Sequence, residues 1–229
     1  MQVVIQRYNP DQDESPYMKE FDVDLSEVTG VMLLDVLEHI KAHQDSSLSF
    51  RRSCGGGVCG SDGMSINGKN GLACQTQVTD LPQKVTLYPM PGMPVIRDLV
   101  VDMSQFYKQY ESVKPYLQSD VSELKEEQLQ SIDDRAKLDG LYECIMCGCC
   151  SSACPSYWWN PDKFVGPQGL LTAARFIFDS RDDEKLSRLE NLSDKYRLYR
   201  CRGIFNCTTV CPKGLNPTEA IAQIRTEQD

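Results

Sequence analysis

The sequence predicts an α+β chain of two domains, a small sheet with one crossing helix followed by a helical region. Three observations predict this. Apolar residues recur at period two early in the chain and at helical spacing later. A proline-rich segment, Pro89-Met90-Pro91-Gly92-Met93-Pro94, separates the two patterns. The cysteines form separate groups, at 54, 59 and 74 and again from 144 onward. The expected domains are 1–103 and 104–229.

The first domain opens with strands at 2–8 and 18–25, in which Val3, Ile5, Phe21, Val23 and Leu25 supply apolar positions. Asn9-Pro10-Asp11 and Ser15-Pro16 break the chain between them. Thr29-Gly30 introduces a helix over 31–43, with Leu33, Val36, Leu37 and Ile40 on one face. A further strand, 84–88, ends at Pro89. Strand, strand, helix, loop and strand is the order of a β-grasp sheet. Residues 67–71 (Asn-Gly-Lys-Asn-Gly) read as turn chemistry alone, and the proline-rich segment as a rigid linker. Beyond it, helices are expected at 102–117, 123–131, 133–141, 167–179, 182–190 and 217–227. Within 167–179, Leu170, Leu171, Ala174, Ile177 and Phe178 form a buried face and Arg175 is solvated. The acidic stretch 118–134 is a surface segment.

Composition narrows the function. The chain of 229 residues has a formal net charge of −9, which argues against a nucleic-acid partner. No apolar run reaches the roughly 18–20 residues of a membrane span. Eleven cysteines are far more than an ordinary cytosolic enzyme carries. Their number is odd, they are clustered, and no secretory signal precedes them, so metal ligation is favoured over a disulfide framework. The first residues, 1–8, read as a strand rather than an export or transit peptide.

The cysteine spacing carries the chemistry. Cys144, Cys147, Cys150 and Cys154-Pro155 give C-x2-C-x2-C-x3-C-P, the bacterial-type ferredoxin run. In two-cluster ferredoxins the fourth cysteine of such a run ligates the other cluster. A second run, Cys201, Cys207 and Cys211-Pro212, lacks one member because Ile204 occupies its place. The crossed arrangement assigns Cys144, Cys147, Cys150 and Cys211 to a [4Fe–4S] cluster. Cys154, Cys201 and Cys207 remain, and three thiolates with an apolar residue at the vacant corner suit [3Fe–4S]. The alternative at this corner is a [4Fe–4S] cluster with a labile iron. Cys149 is left over and reads as a packed thiol.

The first group matches the plant-type C-x4-C-x2-C pattern with a distant fourth ligand. Cys54, Cys59 and Cys74 supply three [2Fe–2S] ligands, and Asp62 stands in the slot of the fourth. It either ligates through oxygen, a harder donor that alters the cluster's redox and spectral properties, or faces solvent. Glycines at 55–57 and 60 let the loop turn backbone N–H groups toward sulfur. The fold is therefore expected to be an N-terminal β-grasp plant-type ferredoxin domain and a helical C-terminal domain of the bacterial two-cluster type.

With three clusters placed, the chain resembles the iron–sulfur subunits of succinate dehydrogenase over essentially its whole length. The matching segments include S-F-R-R-S-C at 49–54, C-G-S-D at 59–62, N-G-K-N-G-L-A-C at 67–74, C-P-S-Y-W-W-N-P-D-K-F at 154–164 and C-P-K-G-L-N-P at 211–217. The resemblance implies a flavoprotein partner with covalent FAD that oxidises succinate, a three-cluster relay in this chain, and two small membrane-anchor subunits. It implies a ubiquinone site beside the last cluster, with haem b often held in the anchors. By the same resemblance the quinone-site residues match at Pro155 and Trp159, with Ile204 beside the cluster. Packing is the alternative for Trp159 and the preferred reading for Trp158. Arg202 replaces the family's usual histidine, which removes a proton relay there and leaves a fixed charge suited to a semiquinone anion or a haem propionate. His39 and His43, the only histidines, lie on the first helix and read as solvated. The expected location is peripheral, on the cytoplasmic face of a bacterial inner membrane.

Three other readings compete. Quinol:fumarate reductase shares the cluster plan and runs in reverse. A freely diffusing ferredoxin would not carry a two-domain wire ending at an aromatic pair. A zinc scaffold also uses C-x2-C pairs, and would be colourless and lack acid-labile sulfide.

Overall fold

The computed structural model describes residues 1–120 and 126–228. Its contacts divide the chain into two compact units, Met1–Met103 with Ile145–Ala153, and Ser104–Cys144 with Cys154–Asp229. The first differs from the expected 1–103 by a nine-residue segment carrying Cys147, Cys149 and Cys150. That segment cannot bury its own thiols, and it is held by side chains of the first unit.

The first unit is a five-stranded sheet. Strands β1 (Gln2–Arg7), β2 (Tyr17–Asp22), β3 (Gly63–Ile66), β4 (Lys69–Leu72) and β5 (Lys84–Tyr88) lie in the order β2-β1-β5-β3-β4. β1 pairs parallel with β5, aligning Val3 with Val85 and Ile5 with Leu87, and every other pairing is antiparallel. Val3, Ile5, Val85 and Leu87 are fully buried, as is one face of helix α1 (Leu33–His43). That helix contributes Leu33, Val36, Leu37 and Ile40 from one face, as the 3.6-residue period requires. The Asp35 carboxylate accepts the N–H of Met32 at 2.9 Å and satisfies one orphan donor at the helix start. Phe21 and Val23 join this core, but Leu25 is exposed, because β2 ends at Asp22 and a short 3-10 turn follows.

Two stretches read as connections are structural. Residues 67–71 hold a turn only at Asn67-Gly68, where both φ values are positive, as a two-residue hairpin demands. From Lys69 onward the chain is β4. The proline-rich segment 89–94 is no linker: Met90 and Met93 are buried. A small antiparallel pair, β6 (Val95–Arg97) and β7 (Val100–Val101), follows it.

A buried ion network closes this unit. Arg7 bonds Asp98 at 2.9 Å and Asp45 at 2.5 Å, and Lys19 reaches Asp45 at 2.6 Å. Burial alone would raise the Asp45 carboxyl, but hydrogen bonds from Lys19, Ser47 and Arg7 outweigh it and hold the group well below the usual carboxylate range.

The second unit packs on the Gly166–Ile177 helix, whose Leu170, Leu171, Ala174 and Ile177 are buried while Arg175 faces solvent. Leu189 and Leu192 of the Lys185–Leu192 helix and Ile221 and Ile224 of the Pro217–Gln228 helix pack against them. The helix expected at 102–117 is shorter, Ser104–Glu111. Its continuation, 113–116, is tied by Arg188 instead. That guanidinium donates to the carbonyls of Val113, Lys114 and Tyr116 and pairs with the fully buried Asp182 at 2.7 Å. The helix expected at 133–141 covers only Ile132–Ala136. The one expected at 123–131 lies partly outside the described residues, and 126–131 are not helical.

Candidate iron–sulfur ligand sites

The loop between α1 and β3 is wrapped around its own sulfurs. Cys54 Sγ accepts the N–H groups of Gly56, Val58 and Cys59 at 3.3–3.4 Å. Cys59 Sγ accepts the Cys54 N–H at 3.5 Å and lies 3.2 Å from the Ser61 hydroxyl. Gly55, Gly57 and Gly60 all have positive φ, which turns these amides inward. The Ser61 hydroxyl, then the Cys54 amide, pull the Cys59 thiol down to about 6. Donors aimed at sulfur stabilise thiolates, the form that ligates iron.

Cys74 is buried, and its thiol is pushed up to about 11 by burial and by its hydrogen bond with Asp62. Asp62 is itself only 3% exposed, and its Oδ2 accepts the Cys74 N–H at 2.5 Å. The solvent-facing reading of Asp62 is thus overturned: the carboxylate points inward. A carboxylate and a thiol side by side offer iron an oxygen and a sulfur donor. The donor set therefore fits a cationic iron core, with Asp62 in the place of the fourth ligand.

This loop abuts the next run of cysteines. A Cβ on Gly60 would lie 2.7 Å from Cys147 Cβ and 3.0 Å from the Ile145 carbonyl. Cys147 and Cys150 are buried in the first unit, and Cys149 is fully buried there. Hydrogen bonding from Cys149 draws the Cys147 thiol down. Asn70 Nδ2 donates to the Cys149 carbonyl and to the Ser152 hydroxyl, both at 3.1 Å, and Ser152 donates to the Pro91 carbonyl at 2.7 Å. Gly148 has φ +80 and is packed by the methyls of Met90, Met93 and Met103.

In the second unit, Cys144 and Cys211 pack against the helical core. Cys154, Cys201 and Cys207 line one small cavity, open in part to solvent. Ile204, Arg202, Phe205 and Thr218 line it too, so the vacant corner expected at Ile204 lies in the same wall as the three thiols. Burial raises the Cys154 thiol, and the charges of Cys207 and Cys201 raise it further. Three sulfur donors around one pocket are a set that fits an iron core. Among the described residues no three Cys, His, Asp or Glu side chains converge as the ligands of one ion would.

Pro155 and Trp159 are not in this cavity wall. Trp159 is 69% exposed and Trp158 40%, on the short Pro155–Trp159 helix that begins beside Cys154. Neither tryptophan is core. The sequence reading missed Asn70, Ser61 and Thr218. For Thr218 a signal was present: Asn216-Pro217-Thr218-Glu219 is a helix start with its N-cap, first-turn proline and N3 acid.

The chain is similar to known iron–sulfur proteins. Residues 2–108 match the model of a 2Fe-2S iron-sulfur cluster binding domain, and residues 143–216 that of a 4Fe-4S dicluster domain. The chain is 59% identical to a succinate dehydrogenase iron-sulfur subunit of Coxiella burnetii, over 97% of this chain and 94% of that one. Its fold superposes on a chain of the Mycobacterium smegmatis Sdh1 complex with TM-score 0.87 at 25% identity, covering 99% and 94% of the two. A Helicobacter pylori hypothetical protein shares the fold at TM-score 0.58 and 16% identity, with this chain spanning 39% of it.

Proposed function

Because this chain belongs to the family of succinate dehydrogenase iron–sulfur subunits, we propose that it passes electrons from succinate oxidation in a partner flavoprotein to a quinone. The bound clusters would supply one-electron carriers whose potentials follow cluster type, charge and hydrogen bonding. Cys54, Cys59, Asp62 and Cys74 hold the [2Fe–2S] group. Cys144, Cys147, Cys150 and Cys211 hold [4Fe–4S], an assignment that rests on spacing. Cys154, Cys201 and Cys207 hold [3Fe–4S], and Ile204 keeps the fourth corner apolar.

The observation that carries this reading is the contact of Gly60 with Cys147. The backbone around one ligand set touches a ligand of the next, as a relay requires. In the second unit, exposed Trp159, Ile204 and Arg202 suit a quinone site. The Trp159 indole N–H can donate to a quinone oxygen while its ring packs on the quinone face. Arg202 offers a fixed positive charge and no transferable proton.

The partners are an FAD flavoprotein and two small membrane anchors, which complete the ubiquinone site and can carry haem b. No helix among the described residues is long and apolar enough to cross a membrane, so attachment falls to the anchors, at the cytoplasmic face of a bacterial inner membrane. The comparisons do not favour the fumarate reductase alternative.

Low-temperature EPR tests the proposal, with iron, sulfide and zinc counted on the same anaerobic sample. An oxidised [3Fe–4S] signal that disappears with dithionite as reduced [2Fe–2S] and [4Fe–4S] signals appear is the expected result. Stoichiometric zinc with no signal would overturn it. Two cubanes without [3Fe–4S] would overturn the role of Ile204.

A further inference from the structure

A chain of hydroxyls ends on one of the three cavity cysteines. Cys207 Sγ lies 3.4 Å from Thr218 Oγ1, which lies 3.0 Å from Thr208 Oγ1. Thr208 in turn donates to Asn216 Oδ1 at 3.0 Å. Asn216 is fixed in orientation. Its Nδ2 donates to the Glu219 carboxylate and its Oδ1 accepts the Glu219 N–H, both at 3.1 Å. Its oxygen can therefore only accept.

Proton counting decides the rest. With Cys207 as a thiol, every contact is filled in one direction: S–H to Thr218, Thr218 to Thr208, Thr208 to Asn216. A thiolate bound to iron has no proton to give. Thr218 would then present lone pairs to an anion unless its hydroxyl turns. Turned, it makes a charge-assisted hydrogen bond to sulfur, roughly twice as strong as a neutral one, and Thr208 turns from Asn216 Oδ1 to donate to Thr218, which leaves that oxygen the Glu219 N–H.

From this we infer that Thr218 is a tuning residue for the cluster held by Cys154, Cys201 and Cys207, raising its reduction potential through the Cys207 sulfur. The inference rests on the three-thiolate reading above. Reduction adds one electron to the cluster, and Thr218 keeps its proton. A donor to sulfur stabilises the more negative, reduced state, so losing it lowers the potential.

The test is EPR potentiometry of the assembled complex with Thr218→Val, which keeps the shape and removes the hydroxyl, and Thr218→Ser, which keeps the hydroxyl. Thr218→Val is expected to shift the reduced-to-oxidised ratio about tenfold toward oxidised at a given poise, about 59 mV for a one-electron couple. Thr218→Ser is expected to stay within threefold of the unmodified complex. A merely structural tether would alter thermal stability or cluster content without moving the midpoint. Should Thr218→Val fail to assemble, Thr218→Ala carries the same expectation. An unmodified complex without a [3Fe–4S] signal would overturn the cluster reading itself. An intact signal with an unmoved midpoint in the variant would overturn the role of Thr218 alone.

Discussion

Replacing Gly60 by alanine separates two costs that the structure lets one calculate. The first is backbone strain. Gly60 has φ +67, and an L-residue in the left-handed region costs about 1–2 kcal/mol. The second is steric. The new methyl would sit 2.7 Å from Cys147 Cβ and 2.9 Å from Cys147 Cα, neither of which can swing away as a flexible chain end would. Overpacking of this kind costs about 1–3 kcal/mol. Gly68 supplies the control, because it has φ +82 and nothing within 4 Å of its added Cβ. Gly68→Ala should therefore show strain alone. The difference between the two variants, about 1–3 kcal/mol, is the contact between the first ligand loop and the next cysteine run. The assay is thermal unfolding of the reconstituted full chain, followed by visible circular dichroism and far-ultraviolet signal together. At roughly 4 °C per kcal/mol for a unit of this size, Gly60→Ala should melt about 4–12 °C below Gly68→Ala. Equal melting of the two would refute the argument that the loop is pressed against Cys147.

Three further outcomes follow from other parts of the molecule. Arg188→Met should destabilise the second unit by about 3–5 kcal/mol, since it removes the cation from the buried Asp182 carboxylate, which keeps only the Gln118 and Glu184 amides, and takes the shared donor from three carbonyls; a denaturant-measured loss under 1 kcal/mol would contradict the network. The Asp45 carboxyl is depressed in the folded chain, so its stabilisation is complete above the unfolded value, about 3.9, and is lost as pH falls toward the folded one. The stability gap between the unmodified chain and Asp45→Asn should then narrow only below about pH 4, and a gap that is flat down to pH 2.5 would count against it. Asp62→Cys should keep the [2Fe–2S] group while moving its absorption and EPR toward an all-thiolate pattern, and unchanged spectra would show that Asp62 does not ligate iron.

Period and spacing made much of this molecule legible. The α1 face was readable because Leu33, Val36, Leu37 and Ile40 obey one helical period. The Gly166–Ile177 core helix was readable for the same reason. The β3–β4 hairpin was not, because Asn67-Gly68 drew attention to the turn and Lys69, Asn70 and Gly71 have poor strand propensity. Asn70 is in a strand because its amide is needed 79 residues later in sequence, at the Cys149 carbonyl. No local pattern encodes a contact of that range. The methionines of the proline-rich segment misled in the same way. Prolines suggest a linker, but Met90 and Met93 are flexible apolar side chains that fill space around Gly148. At the candidate sites, cysteine spacing proposes the ligand sets, whereas Ser61 and Thr218 approach sulfur through hydroxyls that sequence patterns do not distinguish from surface residues.

The placement of Ile145–Ala153 in the first unit has a physical consequence for the proposed relay. A nine-residue segment with buried thiols has little secondary structure of its own, one helical turn at Cys149–Ser152. Its position is therefore set by what holds it: the two Asn70 bonds, the Ser152 bond to Pro91, and the methionine packing at Gly148. All of these partners belong to the sheet unit that also carries Cys54, Cys59, Asp62 and Cys74. The separation between the first ligand loop and Cys147 is thus fixed within a single folded body. A relay depends on that separation, and here it is held by buried hydrogen bonds and close packing. Asn70→Ala would remove the two side-chain bonds while leaving every proposed ligand in place. If the separation is set this way, that variant should bind the full iron content yet transfer electrons more slowly between the first two centres.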